Sequence, residues 1–159
     1  MGTKNSTLVS NFEATPPTLS DASLLHGRVR IAQGTVACAA GDTNDNDIVQ
    51  LAPIPSNASV PHIFIASDTF GGSCTFNVGI YTSDGVVKDE DVFATAVADA
   101  GAFADVRHEA ADINTCGQKM FELAGDSTDP GGYYYIAATM HAEGGTGGDM
   151  SFIIHYVVD

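Results

Sequence analysis

The sequence predicts an all-β fold: an antiparallel β-sandwich, jelly-roll-like, of seven or eight strands, with one short helix and an extended N-terminal arm. Three observations predict it. From Val29 onward, short apolar runs are separated by turn-forming clusters such as Gly71-Gly72, Ser83-Asp84-Gly85 and Asp129-Pro130-Gly131-Gly132. The best of these runs repeat with the two-residue period of a half-buried strand. The runs do not alternate with helices, which disfavours a parallel α/β sheet and leaves two packed antiparallel sheets as the natural closure.

Residues 1–27 stand apart from the rest. Small and polar residues dominate there, and Pro16-Pro17 favours a stretched backbone. The apolar residues Leu8, Val9, Phe12, Leu19, Leu24 and Leu25 occur singly or in pairs, without helical or strand period. A frayed terminus would not need them, so the segment reads as an arm that docks on a neighbour or on its own body. Residues 28–159 form the sandwich domain.

The strand candidates follow in order. Val29–Cys38 ends at Ala39-Ala40-Gly41-Asp42, and Ile48–Ile54 ends at Pro55-Ser56-Asn57. Val60–Ser67 is the third. In Cys74–Thr82, Cys74, Phe76, Val78 and Ile80 share one face, and Thr75, Asn77, Gly79 and Tyr81 the other. At 89–100 the pattern changes. Asp89-Glu90-Asp91 precedes Val92, Phe93, Ala96, Val97 and Ala100 at helical spacing, acids suit a helix N-terminus, and Gly101 suits a stop; this predicts the short helix. Ala104–His108 and Gln118–Ala124 read as minor strands. Tyr133–Ala142 puts Tyr134, Ile136, Ala138 and Met140 on one face. After the glycine-rich 144–148 connection, Met150, Phe152, Ile154, Tyr156 and Val158 share a face of a strand running to Asp159. There is no internal repeat.

The 159 residues suit one domain, and a chain of this size buries about 68–70% of its unfolded surface without metals or staples. Six Lys and Arg face twenty Asp and Glu, for a formal charge of −14. The cations Lys4, Arg28, Arg30, Lys88, Arg107 and Lys119 are scattered, so no phosphate-binding patch forms, and neither nucleic acid nor an anionic membrane is expected as a partner. An acidic, solvated surface and a specific acidic role both remain open readings of the charge. Met1–Ser10 has no apolar signal region and no apolar run reaches membrane-spanning length, so synthesis in the cytoplasm is expected and the sequons at Asn5 and Asn57 read as chance matches. Cys38, Cys74 and Cys116 are odd in number and lack a C-x-x-C; buried free thiols are expected, with one bridge plus a spare thiol as the alternative.

Few constellations point to chemistry. Asp42-Thr43-Asn44-Asp45-Asn46-Asp47 starts like a calcium loop but places Asp47 where the turn needs Gly and Pro53 where a bidentate Glu is needed. It reads as a solvated polar loop, with a weak surface cation site as the alternative. The histidines His26, His62, His108, His141 and His155 include no pair two residues apart, which removes the main support for a metal-dependent jelly-roll enzyme. No nucleophile elbow, P-loop, dinucleotide or zinc-protease motif occurs. No catalytic residue, cofactor or metal is assigned. Tyr133 and Tyr135 point outward from their strand and are surface contact candidates for a sugar or a protein.

Four stretches resemble a known group. They are Ile48–Ile54 with Pro55-Ser56-Asn57-Ala58; Asn77-Val78-Gly79-Ile80-Tyr81 followed by Asp84-Gly85; Asp89-Glu90-Asp91-Val92-Phe93-Ala94; and the ending Ile154-His155-Tyr156-Val157-Val158-Asp159. In this order, over roughly residues 28–159, they resemble small virion proteins of tailed bacteriophages, including capsid decoration (cement) proteins. The resemblance implies a structural protein, not an enzyme, on the outer surface of a virion capsid. It implies the major capsid protein and further copies of itself, as a homotrimer, as partners. A carbohydrate- or receptor-binding sandwich of a phage fibre or tail is the alternative. Pro16-Pro17 and the rest of the arm match no pattern of the group.

Overall fold

The computed structural model describes residues 14–18, 28–107, 113–142 and 144–158. Eight strands form: β1 (Arg28–Cys38), β2 (Ile48–Pro55), β3 (Ala58–Ser67), β4 (Thr75–Tyr81), β5 (Val87–Ala98), β6 (Ala104–Asp105), β7 (Tyr133–His141) and β8 (Gly148–Val158). They make two four-stranded sheets, ordered β1-β8-β3-β6 and β2-β7-β4-β5. Every pairing is antiparallel. The pairs β1 with β8, β2 with β7, β3 with β6 and β4 with β5 are those of one long hairpin. Rolling that hairpin brings β8 against β3 and β7 against β4, which completes each sheet and gives a jelly roll.

The core lies between the sheets and follows the two-residue period. β4 supplies Phe76, Val78 and Ile80, β7 supplies Tyr134, Ile136, Ala138 and Met140, and β8 faces them with Met150, Phe152 and Ile154. All are buried, as the alternation of the sequence predicts. β8 is central in its sheet, flanked by β1 and β3. Pro53 and Pro55 lie in β2, an edge strand, where a missing N–H disrupts no ladder on the open side.

Two elements differ from expectation. Residues 89–100 are not a helix; they belong to β5 and its exit. The reason is bulging. Against β4, the register of β5 shifts at three places, so that Val78 pairs with Ala94 while Ile80 pairs with Asp89. Each extra residue turns the side chains to the other face, and the apolar set then repeats at three- and four-residue spacing, as a helix would. Gln118–Ala124 is not a strand. It holds one bridge, Lys119 to Ser59, and then the short helix α1 (Met120–Leu123), with Met120 buried. Glu122 accepts the backbone N–H of Lys119 at 2.8 Å, closing the first turn. Among the described residues, the α-helix thus sits between β6 and β7, not between β4 and β6.

Candidate functional site

The two sheets treat their outer faces in opposite ways. On β4, the outward residues Asn77 and Tyr81 are only 6% and 1% exposed. Their cover is the bulged strand β5. A Cβ on Gly79 would lie 2.1 Å from the carbonyl oxygen of Asp89, so the β5 backbone crosses directly over this glycine. Asn77 pins both arms of the crossing. Its Oδ1 accepts the N–H of Ala96 at 2.8 Å, and its Nδ2 donates to Glu90 at 3.4 Å.

 Ala96, at the kink of the crossing, lies at a φ of 53°. This left-handed backbone is unfavourable for a residue with a Cβ, and the bond from its N–H to Asn77 helps to hold it. The cover reaches β7 as well. Ala137 and Thr139 are buried, Tyr81 and Thr139 share a hydroxyl hydrogen bond, and Glu90 lies 3.7 Å from His141. Burial, the largest influence, pushes the Tyr81 phenol above its ordinary value.

Among the described residues, the outer face of the other sheet has no such cover. The register places Val29 beside Val157, Ile31 beside His155, and Ile153 between Gln33 and Phe64. Val29 and Ile31 are 58% and 57% exposed. Phe64 stacks on Phe103 at 5.3 Å and lies 5.6 Å from the ring of His155, which in turn meets His62 edge-on. His62 Nδ1 is 2.6 Å from Asp105. Burial acts to raise the Asp105 carboxyl, but the bonds from His62 and from the N–H groups of Arg107 and Ile63 outweigh it and hold the carboxyl below its ordinary value.

The four sheet edges differ in the same sense. A bare edge strand invites pairing with another chain, and charges, prolines, bulges or shortness blunt it. β2 carries Pro53, Pro55 and a bulge between Gln50 and Ala52. β5 carries three register shifts and the charged run Lys88-Asp89-Glu90-Asp91. β6 is two residues long. β1 has none of these devices from Ile31 to Cys38, and its pairing with β8 runs unbroken from Arg28 to Cys38.

The residues singled out from the sequence fall as follows. Tyr133 is 63% exposed and Tyr135 half-buried on β7. Leu8, Val9, Phe12, Leu19, Leu24 and Leu25 lie outside the described residues, as do His26 and His108; within the arm, Pro16 and Pro17 are exposed. The carboxylates of the 42–47 loop accept backbone N–H groups. Asp42 accepts the N–H of Ala39, Asp47 that of Asn44, and Asp45 that of Ala142. The histidines of β3 and β8 meet, while His141 lies on the other sheet; among the described residues no group of three His, Cys, Asp or Glu is placed to hold a metal. Cys38 and Cys74 are buried free thiols, raised by burial first, and Cys116 is half-buried. The open face was missed in the sequence because its members come from four separate strands. The signal available was the apolar character of the second face of β8, at Ile153 and Val157.

No family model matches the chain, and no curated protein matches it. Among solved structures, the chain is similar to one in the capsid of Ralstonia phage GP4, with a TM-score of 0.46, 17% identity, and coverage of 84% of this chain and 86% of that one. It is also similar to a chain of the cyanophage Pam1 capsid asymmetric unit, with a TM-score of 0.45, 15% identity and full coverage of both chains at 100%.

Proposed function

We propose that this chain is a structural virion protein that binds the outer surface of a phage capsid and stabilises it, as a decoration or cement protein acting without catalysis. The observation that carries the reading is where the phage-like stretches fall in the jelly roll. Asn77–Tyr81 and Asp89–Ala94 are the two sides of the β5 crossing over β4, and Ile154–Val158 is the central strand that β1 and β3 flank. These are framework positions, so the likeness is one of construction. The bare apolar face and the unguarded β1 edge supply contact surface for protein partners, with the major capsid protein and further copies of the chain as the occupants.

The test is reconstitution. Purified protein is added to matching capsids assembled without it, and bound protein and resistance to heat and osmotic shock are measured. Saturable binding with raised resistance is expected. Absence of binding, with resistance unchanged, overturns the reading. One observation favours a second reading: Tyr133 stands exposed beside Tyr135 at one end of β7, as a sugar platform requires. Glycan-array binding that is lost in Tyr133→Ala would move the assignment to a receptor-binding module.

A further inference from the structure

β1 and β2 are edge strands of different sheets, and they lie in contact where the 39–47 loop joins them. A groove of about 240 Å3 opens along this seam, between residues 36–38 of β1 and 48–50 of β2, with Asp42 and Asp47 of the loop in its wall. The alternation of β1 turns Ala32, Val36 and Cys38 toward the core and Gln33, Thr35 and Ala37 away from it. Val36 and Cys38, with Val49 of β2, therefore give the groove an apolar floor. At its loop end the floor gives way to charge. Asp42 and Asp47 each accept a backbone N–H on Oδ2 at 2.8 Å, which leaves the second oxygen of each carboxylate for a further donor.

The main chain beside the groove is open too. β1 pairs with β8 on one side, and among the described residues no strand flanks its other side. Gly34, Thr35 and Ala37 are small and exposed, so no bulky or charged side chain screens the backbone there. β2 is a poorer template, because Pro53 and Pro55 have no N–H and a bulge interrupts its pairing. An extended segment that enters the seam thus has the ladder of β1 to join. Its alternate side chains then point into the groove. Main-chain bonds of this kind supply affinity, and the pockets under alternate side chains supply selectivity.

We propose that the β1 edge takes up, by strand addition, an extended segment of a different protein that alternates apolar residues and ends on a Lys or Arg. The apolar side chains fill the β1–β2 groove, and the cation sits against Asp42 and Asp47. Charge selects this occupant. A second copy brings a formal charge of −14 to a molecule of the same charge. Residues 1–27 of the chain itself carry Glu13 and Asp21 against Lys4 and are no better matched to two carboxylates. A cation at the end of the incoming strand also fixes its register on β1, which the uniform ladder leaves free. The inference deepens the proposed function. It rests on that reading for the source of the segment, the capsid protein, while the chemistry of the groove stands apart from it.

The probe is the end-blocked peptide Lys-Thr-Val-Thr-Val-Thr-Val, whose Lys and Val side chains share one face, added to the full chain. Amide exchange should slow along β1 and stay unchanged in β5. A peptide with Glu in place of Lys should bind roughly tenfold more weakly. The variant D42N/D47N keeps an acceptor oxygen for each backbone N–H, so its melting should match the wild type. It should lose about threefold or more in affinity for the Lys peptide and nothing for a Gln peptide. Two further peptides, N-methylated on odd or on even residues, test the ladder, and one of the two should fail to bind. No protection of β1, equal binding of the Lys and Glu peptides, or full binding of both N-methylated peptides would overturn the inference, as would a two-copy mass for the chain alone. Capsid binding without peptide uptake sinks the groove and leaves the proposed function; peptide uptake without capsid binding does the reverse.

Discussion

The outer faces of the two sheets show two fates for the same kind of surface. On β4 and β7 the second face is closed by the protein's own edge strand, which bulges, crosses Gly79 and buries Tyr81, Ala137 and Thr139. On β1, β8 and β3 the second face keeps Val29, Ile31, Ile153 and Phe64 at or near the surface. The difference teaches that a bulged strand can serve as a cover. Extra residues that spoil the ladder of β5 give it the length to fold over its neighbour. The sheet whose edge strand β1 is regular gains no such cover among the described residues, and its second face keeps apolar side chains exposed.

The largest expected effect breaks the covered face. Gly79→Ala places a Cβ 2.1 Å from a backbone oxygen and 2.3 Å from the Glu90 carbonyl carbon, where no side chain can rotate away. Urea unfolding should show a loss of about 3 kcal/mol. Next is Asn77→Ala, which removes the acceptor for Ala96 N–H and the link to Glu90. A loss of about 1–2 kcal/mol is expected from the same measurement, with faster amide exchange confined to β5. A loss spread evenly over both sheets would mean that the crossing is not held by Asn77.

Much of this architecture was legible in the sequence, and the exceptions have physical causes. The strands of regular period, β4, β7 and β8, emerge within a residue or two of their expected ends because one face of each packs on the core. β5 reads as a helix because its bulges convert the strand period into helical spacing, and because Asp89-Glu90-Asp91 imitates a helix start. The burial of Asn77 and Tyr81 was not legible: alternation assigns them to solvent, and only the crossing of β5 encloses them. The candidate site was legible only in part. Tyr133 is exposed as expected, but the face formed by Val29, Ile31, Phe64 and Phe103 depends on register between strands far apart in the chain.

A smaller effect concerns acid. The native bonds to Asp105 hold its carboxyl below the ordinary value of 3.8, so its contribution is present above the unfolded pKa and is lost as pH falls through the lower folded value. Asp105→Asn should therefore lower stability at neutral pH and flatten the decline that sets in below about pH 5, as read by thermal melting. An unchanged acid slope would show that this pair does not steady the open face.

The smallest effect tests the open face itself. Phe103 is 50% exposed, and its ring stacks on Phe64. Truncation there removes part of one stacked pair and leaves no cavity, because solvent already reaches the ring. Phe103→Ser should cost about 1 kcal/mol or less in urea unfolding, against the larger cost of Gly79→Ala on the covered face. Equal costs would mean that the open face is as much a part of the folded core as the covered one. The contrast between the sheets would then be one of shape alone, with no surface held in reserve for partners.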